Sequence, residues 1–219
     1  MNNDKPLINI LTRTSNRPRG FRHNIESVRG QTYKNIRHII YTDDQSSVSY
    51  IINEKISDYS LIDRNLIIKN DDQPKPKTGH RFLPHNLYFN RMIEDVSDGW
   101  VIYLDDDDRF VHNRVVEEIA DIISKCNEDT LIYWRMVYSN GSYLPEVISE
   151  NNPPRICQIG GSCMTFNIKY KYLAKWDGWN CGDFRVIERL HENIPNKIWI
   201  PKNYIYVPSA GFGDRKDIS

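Results

Sequence analysis

Four consecutive aspartates, Asp105 to Asp108, are the residues whose types and spacing most directly imply chemistry. They directly follow an apolar, β-prone run that begins at Trp100. Like charges this close repel each other unless a cation or strong hydrogen-bond donors neutralise them. Carboxylate oxygens are hard ligands that suit Mg²⁺ or Mn²⁺. The run therefore predicts a divalent metal site. The alternative is a solvated acidic turn that caps the next helix.

Polar residues also follow two earlier β-prone segments. Thr12, Arg13 and Thr14 end the first segment, and Asp43 and Asp44 end the second. In open parallel sheets, ligands bind at the carboxyl ends of the strands, so we expect these groups to meet the aspartate run. A carboxylate after the second strand could accept hydrogen bonds from a base or a ribose. An Asx turn is the alternative for Asp43 and Asp44.

Basic residues lie on the loops at or near the same predicted edge of the sheet. They are Arg13, Arg17, Lys75, Lys77 and Arg81. Each could contact a diphosphate group, because guanidinium and ammonium groups bind phosphate oxygens. Each taken alone is equally consistent with an ordinary solvated charge.

The elements that must position these side chains alternate in the first half of the chain. We predict strands at 7–12, 36–42, 66–68 and 100–104, and helices at about 21–30, 48–56, 86–96 and 113–123. This alternation is typical of a parallel sheet with right-handed crossovers. The second half contains strand-like segments at 130–138, 142–147 and 156–167, then a helix near 183–192 and two short strands. We predict one α/β domain over residues 1–219, with a nucleotide-binding half (1–112) and an acceptor-side half (113–219).

Composition excludes some classes of function. The 219 residues include 29 Lys and Arg against 29 Asp and Glu, so a strongly basic nucleic-acid binder is not expected. No apolar run approaches the ~20 residues of a membrane span. The N-terminal residues lack the apolar centre of a signal peptide, and we expect a cytoplasmic protein. The four cysteines are expected to be reduced and mostly buried.

Several motifs together resemble family 2 glycosyltransferases, which have the GT-A fold. The resemblance covers residues ~7–112 and rests on the Thr/Asn/Arg loop after the first strand, on Gly30–Asn35 (G-Q-T-Y-K-N), on Tyr41–Ser46 (Y-T-D-D-Q-S), and on Asn90, which lies 15 positions before Asp105 of the L-D-D-D-D run. It implies a Rossmann-like, mostly parallel sheet with helices on both faces, and a mixed C-terminal half.

The resemblance also implies roles for individual residues. Residues that would contact the nucleotide-sugar donor are Thr12, Arg13, Thr14, Asp43, Asp44, Arg81, Asn90, Asp105 and Asp106. Asp107, with Asp105 on the ribose or on the metal, would hold Mn²⁺ or Mg²⁺. The donor is expected to be a UDP-sugar, and the acceptor is expected to be a glycan or another hydroxyl compound.

The second half resembles the family more loosely, at Trp179–Phe184 (W-N-C-G-D-F). In the family's "G-(E/D)-D" motif the second carboxylate is the catalytic base, and here Asp183 keeps that position while Gly182 replaces the first acid. Asp183 could instead be a helix N-cap. A position at a helix N-terminus predicts an ionised carboxylate. Trp176 and Trp179 could stack on a sugar ring or pack in the core.

The sequence departs from the family pattern at a few positions. Gln45 and Met92 stand where glycine is common, and Pro208–Arg215 occupies the place where many members carry a late histidine. The predicted function is a metal-dependent inverting glycosyltransferase. The alternatives are a sugar-nucleotide-forming nucleotidyltransferase, disfavoured because the loop after the first strand lacks a glycine run, and a non-catalytic carbohydrate-binding domain of the same fold.

Overall fold

The structure, a computed structural model, describes residues 5–56, 59–69, 75–77 and 81–208. The strands are β1 (Ile8–Thr14), β2 (Ile36–Thr42), β3 (Tyr59–Leu61), β4 (Trp100–Tyr103), β5 (Arg109–Phe110), β6 (Thr130–Tyr138), β7 (Tyr143–Leu144), β8 (Met164–Asn167) and β9 (Asn196–Val207). The helices are α1 (Pro18–Arg29), α2 (Gln45–Asn53), α3 (Arg64–Lys69), α4 (Tyr88–Glu94), α5 (Val115–Ile123) and α6 (Gly182–Asn193), with 3₁₀ turns at Pro84–Leu87, Gly161–Cys163 and Ile168–Tyr170.

The strands form one sheet in the order β3-β2-β1-β4-β8-β6-β9-β5, with β7 paired to β6. The four strands from β3 to β4 are parallel to their neighbours. Beyond β4 the pairing is mixed, because β8 is antiparallel to both β4 and β6, while β6 and β9 are parallel. The sheet thus has a parallel half and a mixed half, and it is not Rossmann-like throughout.

Helices cover both faces of the parallel half. On β2, Ile40 packs with Phe21 and Ile25 of α1, whereas Ile39 and Tyr41 belong to the large core cluster that contains much of α4. Successive strand residues point to opposite faces of a sheet. The two apolar clusters therefore lie on opposite sides of the strand, and β2 is buried on both faces as the sequence predicts.

Local sequence explains how two of these elements begin. Pro18 occupies the first turn of α1, where its missing N–H is not needed. Gly99 precedes β4 with φ of +88°, and a Cβ there would lie 2.4 Å from the carbonyl oxygen of Leu7. Only glycine fits this approach, which places β4 beside β1.

The third predicted strand is wrong. Residues 66–68 belong to helix α3 (Arg64–Lys69). The strand that pairs with β2 on the side away from β1 is instead β3 (Tyr59–Leu61). A run of three apolar residues is too short for its periodicity to separate helix from strand. The predicted pair of short C-terminal strands is a single strand, β9, whose pairing with β6 shifts register near Arg135.

No helix in the described part of the chain is both long enough and apolar enough to cross a membrane. The four cysteines are all free, but only Cys163 is fully buried. The expectation of mostly buried cysteines is therefore wrong.

Candidate functional site

The carboxyl ends of β1, β2 and β4 meet at a cavity of about 270 Å³, as the sequence predicts. The residues that line it are Arg13, Thr14, Ser15, Asn16, Arg17, Asp43, Arg64, His85, Tyr88, Asp105, Asp106 and Asp107. Six of the residues predicted to contact the donor or a metal are among them: Arg13, Thr14, Asp43, Asp105, Asp106 and Asp107. Parallel strands bring these side chains together because their carboxyl ends share one edge of the sheet.

Helix α1 holds the aspartate turn in place. The buried side chain of Asn24 donates hydrogen bonds to the carbonyl oxygens of Asp105 (2.9 Å) and Asp108 (3.0 Å). A Cβ at Gly20 would lie 3.3 Å from the Cα of Asp107, so the helix backbone packs directly on the turn. The sequence signal that could have identified Asn24 is the presence of a polar residue on the apolar face of a predicted helix.

Two arginines neutralise the aspartates. Arg17 Nη1 lies 2.7 Å from a carboxylate oxygen of Asp107 and 3.1 Å from one of Asp106. Arg13 Nη2 lies 3.2 Å from Asp105, whose side chain is 48% exposed. Both guanidinium groups line the cavity, so it presents positive and negative groups together. That combination suits a ligand that carries phosphate and hydroxyl groups.

Burial changes the acidity of this turn. Desolvation raises the pKa of Asp106 to about 7, against the opposing effect of Arg17. Burial also raises the pKa of Asp107, again opposed by Arg17. Asp108 is buried away from the cavity and accepts a hydrogen bond from the Ser162 hydroxyl at 3.2 Å. Its pKa is raised well above the ordinary value by burial and then by its acidic neighbours. Asp108 therefore contributes to the structure of the turn.

Asp43 carries a buried carboxylate oxygen without a hydrogen-bond partner. Its Oδ2 accepts a hydrogen bond from the Tyr88 hydroxyl and lies 3.8 Å from Arg64. Its Oδ1 is buried and has no hydrogen-bond partner among the residues that the structure describes, and the side chain is only 8% exposed. A buried acceptor that receives no hydrogen bond costs free energy, so this oxygen is suited to accept one from a ligand.

The polar atoms of Asp44 and Thr12 make hydrogen bonds within the fold. Asp44 is the N-cap of α2 and accepts hydrogen bonds from the amide of Ser46 and the hydroxyls of Ser46 and Ser47. Its pKa is lowered, chiefly by the Ser46 hydroxyl. Thr12 is buried, and its hydroxyl lies 2.9 Å from His38 Nε2. Neither residue lines the cavity.

Asn90 and Arg81 also lie outside the cavity lining. The Asn90 side chain makes two hydrogen bonds of 2.7 Å with the backbone of Trp176, and it thereby ties α4 to the segment before α6. The backbone of Arg81 hydrogen-bonds the backbone and side chain of Asn180. Both residues therefore support the segment before α6.

Asp183 lies in the first turn of α6, and its Oδ1 accepts a hydrogen bond from the Phe184 amide at 2.8 Å. The N-cap residue is Cys181, so the alternative interpretation of Asp183 as the N-cap does not hold. Asp183 does not line the cavity, but Asp105 and Arg13 act on its charge. Burial has the largest effect on its pKa and raises it. The expectation that the helix N-terminus would dominate the pKa of Asp183 is therefore corrected.

A hydrogen-bonded frame shapes the loop before α6. Arg185 forms a two-point ion pair with Asp177 at 2.6 and 2.5 Å, and it also donates to the carbonyl oxygens of Trp179 and Asn180. Asn86 donates to the same Trp179 carbonyl at 2.9 Å. Both charged side chains of the pair are about nine-tenths buried, so the loop that carries Asp183 is fixed from two sides.

The two tryptophans before Asp183 differ in exposure. Trp176 is 3% exposed and packs against Phe89 and Tyr103, so it belongs to the core and cannot stack on a sugar. Trp179 is half-buried, with the Phe82 ring at 5.3 Å and the Lys75 ammonium 5.0 Å from its ring centre. Only Trp179 retains partly accessible ring surface.

Sequence reasoning missed several cavity residues. Ser15 and Asn16 follow Thr14 directly and could have been included with the loop. Arg64, His85 and Tyr88 gave no such signal, because none of them follows a predicted strand. No group of three His, Cys, Asp or Glu side chains able to hold a metal occurs within the described ranges. Residues 209–215, part of the segment predicted to stand where family 2 glycosyltransferases carry a late histidine, lie outside those ranges.

Comparison with known proteins identifies the fold. No protein-family model and no curated protein sequence matches this chain. A crystal structure of S. aureus TarS matches with a TM-score of 0.69 and 13% identity over 93% of this chain and 37% of TarS. TarS 1–349 in complex with UDP-GlcNAc matches with a TM-score of 0.67 and 15% identity over 95% of this chain and 60% of that one. TarS 1–349 in complex with UDP gives a TM-score of 0.65 and 15% identity.

At this identity the likeness shows a shared glycosyltransferase-like fold, without assigning a specific family. The chain spans less than two thirds of the length of each of these TarS structures.

Proposed function

We propose that this protein is a metal-dependent, inverting glycosyltransferase that moves a sugar from a UDP-sugar to a hydroxyl acceptor. The fold, the charged cavity at the carboxyl ends of the parallel strands and the acidic first turn of α6 support this proposal. TarS, which has the same fold, occurs in complex with UDP-GlcNAc and with UDP.

The observation that carries the proposal is the unpartnered oxygen of Asp43. Asp43 lines the cavity together with Arg13 and Arg17, so a carboxylate acceptor and two phosphate-binding groups border the same space. A nucleoside diphosphate has matching groups, because uracil carries an N–H donor and the diphosphate is anionic. In the proposed complex, Asp43 accepts the base N–H, while Arg13 and Arg17 contact the phosphates.

The donor set at the aspartate turn fits a hard divalent cation. Asp105 and Asp107 both present carboxylate oxygens to the cavity, and Mg²⁺ and Mn²⁺ are commonly held by one or two carboxylates together with waters and substrate phosphates. When bound, the ion would act as a Lewis acid that neutralises the charge on the leaving diphosphate. Arg17 and Arg13 already contact these two carboxylates, so the same arginines can turn towards the phosphates when the donor binds.

The acceptor hydroxyl must lose a proton as its oxygen bonds to the anomeric carbon and the bond from that carbon to the diphosphate breaks. Asp183 is proposed to take this proton. Its raised pKa makes it a stronger base than an exposed aspartate once it is ionised. Its charge interacts with Asp105 and Arg13, so the proposed base and the proposed donor cavity are within electrostatic reach. A single direct displacement inverts the anomeric centre.

One experiment separates this function from the alternatives. Purified protein is incubated with a panel of UDP-sugars and hydroxyl acceptors, with and without Mn²⁺, and released UDP is measured. We expect metal-dependent UDP release that increases with the correct acceptor. A nucleotidyltransferase, given UTP and a sugar phosphate, would instead form a sugar nucleotide and release pyrophosphate. A binding domain would bind carbohydrate without releasing UDP.

A further inference from the structure

A second cavity, of about 470 Å³, lies outside the proposed donor site. Strands β6 and β9, the end of α6 and the loop after β7 all contribute to its lining, which includes Tyr133, Ser149, Glu150, His191, Lys197 and Trp199. No residue lines both this cavity and the first one. Cavities of about 300–1,000 Å³ are typical of small-molecule sites, so this one is large enough to hold a ligand.

Arg135 fixes two parts of the cavity lining. Its Nε donates a hydrogen bond to the carbonyl oxygen of Pro145 at 3.3 Å, which ties the loop after β7 to β6. The same guanidinium group lies 5.4 Å from the centre of the Trp199 ring. Farther along the loop, Ser149 and Asn152 exchange two backbone hydrogen bonds of 3.1 Å. Because the loop and the ring are held in place without a ligand, less entropy is lost when a ligand binds.

His191 offers a hydrogen-bond donor to a ligand in this cavity. The Tyr133 hydroxyl is buried, and its only hydrogen-bond partner in the described chain is His191 Nδ1 at 3.0 Å. The hydroxyl therefore donates to Nδ1, because buried donors are rarely left without an acceptor. Burial, and then the charge of Lys197, lower the pKa of His191, so the ring is neutral at pH 7. A neutral ring that accepts at Nδ1 carries its hydrogen on Nε2.

Two exposed side chains of opposite charge line the cavity, and neither is paired. Within the described ranges, neither Lys197 nor Glu150 forms an ion pair. The Lys197 ammonium group makes one long contact, of 3.5 Å, with the carbonyl oxygen of Pro195. An ammonium group supplies hydrogen-bond donors and a carboxylate supplies acceptors. Together with the half-buried ring of Trp199, the cavity therefore combines donors, acceptors and an aromatic surface.

We propose that this cavity is a carbohydrate site that binds a saccharide unit of a glycan independently of the donor cavity. A sugar ring has an apolar C–H face that can pack on the Trp199 ring, and hydroxyl groups that both donate and accept hydrogen bonds. Glu150 accepts from these hydroxyls, whereas Lys197 and His191 Nε2–H donate to them. A simple anion would suit Lys197 but would be repelled by Glu150, which favours a neutral saccharide.

The test follows the indole N–H signals of the full chain by ¹⁵N NMR, with the Trp199 signal assigned by triple-resonance experiments. The probes are chitotriose, cellotriose and maltotriose, each added separately at millimolar concentration. We expect at least one of them to shift the Trp199 signal along a saturable curve. The shift should persist when UDP and Mg²⁺ are present in excess, because no residue lines both cavities.

Lys197→Ala and Glu150→Gln change exposed side chains and should each weaken this binding about 5-fold or more, through loss of one hydrogen bond to the sugar. Lys202→Ala, on the same strand as Lys197, is the matched control. Its ion pair with Glu118 lies outside the cavity, so the variant should bind the saccharide as the native protein does.

Three results would overturn the proposal. They are an unmoved Trp199 signal with all three probes, loss of the shift when UDP is bound, and unchanged affinity in both cavity variants. A Trp199 shift caused by inorganic phosphate, without one from any saccharide, would also overturn it and assign the cavity to an anion. Binding is measured without turnover, so a failure of the proposed transferase function leaves this result readable.

Discussion

The guanidinium group of Arg13 donates a hydrogen bond to the side-chain carbonyl of Asn86 at 2.9 Å. The amide nitrogen of the same Asn86 donates to the backbone carbonyl of Trp179 at 2.9 Å. Arg13 lines the proposed donor cavity, whereas Trp179 belongs to the loop that leads into α6. One asparagine side chain therefore connects the proposed donor site with the loop that carries the proposed base.

Asn86→Ala should slow turnover more than it weakens donor binding. The change leaves an arginine N–H and a carbonyl oxygen without their partner, and an unmade buried hydrogen bond costs about 1–3 kcal/mol. We expect a lower melting temperature and a lower kcat because the loop before Asp183 loosens, while the UDP dissociation constant changes only a few-fold. Asn193→Ala, on the exposed end of α6, is the control. An unchanged kcat in folded Asn86→Ala would contradict the connection.

Asp43→Ala should weaken UDP binding. Loss of a hydrogen bond to a charged acceptor costs about 1–3 kcal/mol, which corresponds to roughly 5- to 150-fold in the dissociation constant measured by calorimetry. Asp44→Ala is a matched control, because its carboxylate caps α2. It should lower stability by about 1 kcal/mol and leave UDP affinity unchanged. Equal effects of the two changes on UDP affinity would count against a base contact at Asp43.

Removal of divalent metal should abolish transfer. We expect EDTA to stop UDP release and Mn²⁺ or Mg²⁺ to restore it. Asp107→Asn should remove the effect of Mn²⁺ on UDP affinity while the protein stays folded, because loss of one charge relieves repulsion within the aspartate turn. Asp121→Asn, an exposed aspartate on α5, serves as the control. Full turnover by metal-free protein would mean that Arg13 and Arg17 suffice to neutralise the diphosphate.

Asp183→Asn should reduce turnover by about 10²–10⁴ with donor affinity nearly unchanged. Burial raises the pKa of Asp183, so the ionised carboxylate destabilises the fold relative to a neutral side chain. The variant should therefore melt at the same or a higher temperature above that pKa. In the native protein, kcat should fall as the pH drops through this raised pKa, above the ordinary value of 3.8, because the base becomes protonated.

Glu188→Gln, an exposed change on the same helix, should leave the pH profile intact. Normal turnover per folded molecule of Asp183→Asn would remove Asp183 from the mechanism.

Asp177→Ala should destabilise the protein strongly. Its carboxylate is paired with Arg185 at 2.6 and 2.5 Å, and both side chains are about nine-tenths buried. Removing one partner of a buried pair leaves the other charge uncompensated, which typically costs about 3–5 kcal/mol. Denaturant unfolding measures this directly. The exposed pair Arg114 and Glu117 provides the comparison, and Glu117→Ala should give no measurable change.

The sequence by itself determined the parallel half of the fold and the edge where the site lies. Strands β1, β2 and β4 are rich in apolar, β-branched and aromatic residues, and each is followed by polar residues. This pattern is local, so it can be read without knowing what packs against it. The same reading failed at residues 66–68, where three apolar residues are compatible with either α3 or a strand.

Only the tertiary structure decided which polar side chains face the cavity. Asp43 and Asp44 are neighbours in the sequence, yet one has a buried unpartnered oxygen and the other caps a helix. The difference depends on the positions of Tyr88 and Ser46, and Tyr88 is 45 residues away from Asp43. Residue types and spacing indicate which groups are available for chemistry, whereas packing between distant segments decides which of them remain free to perform it.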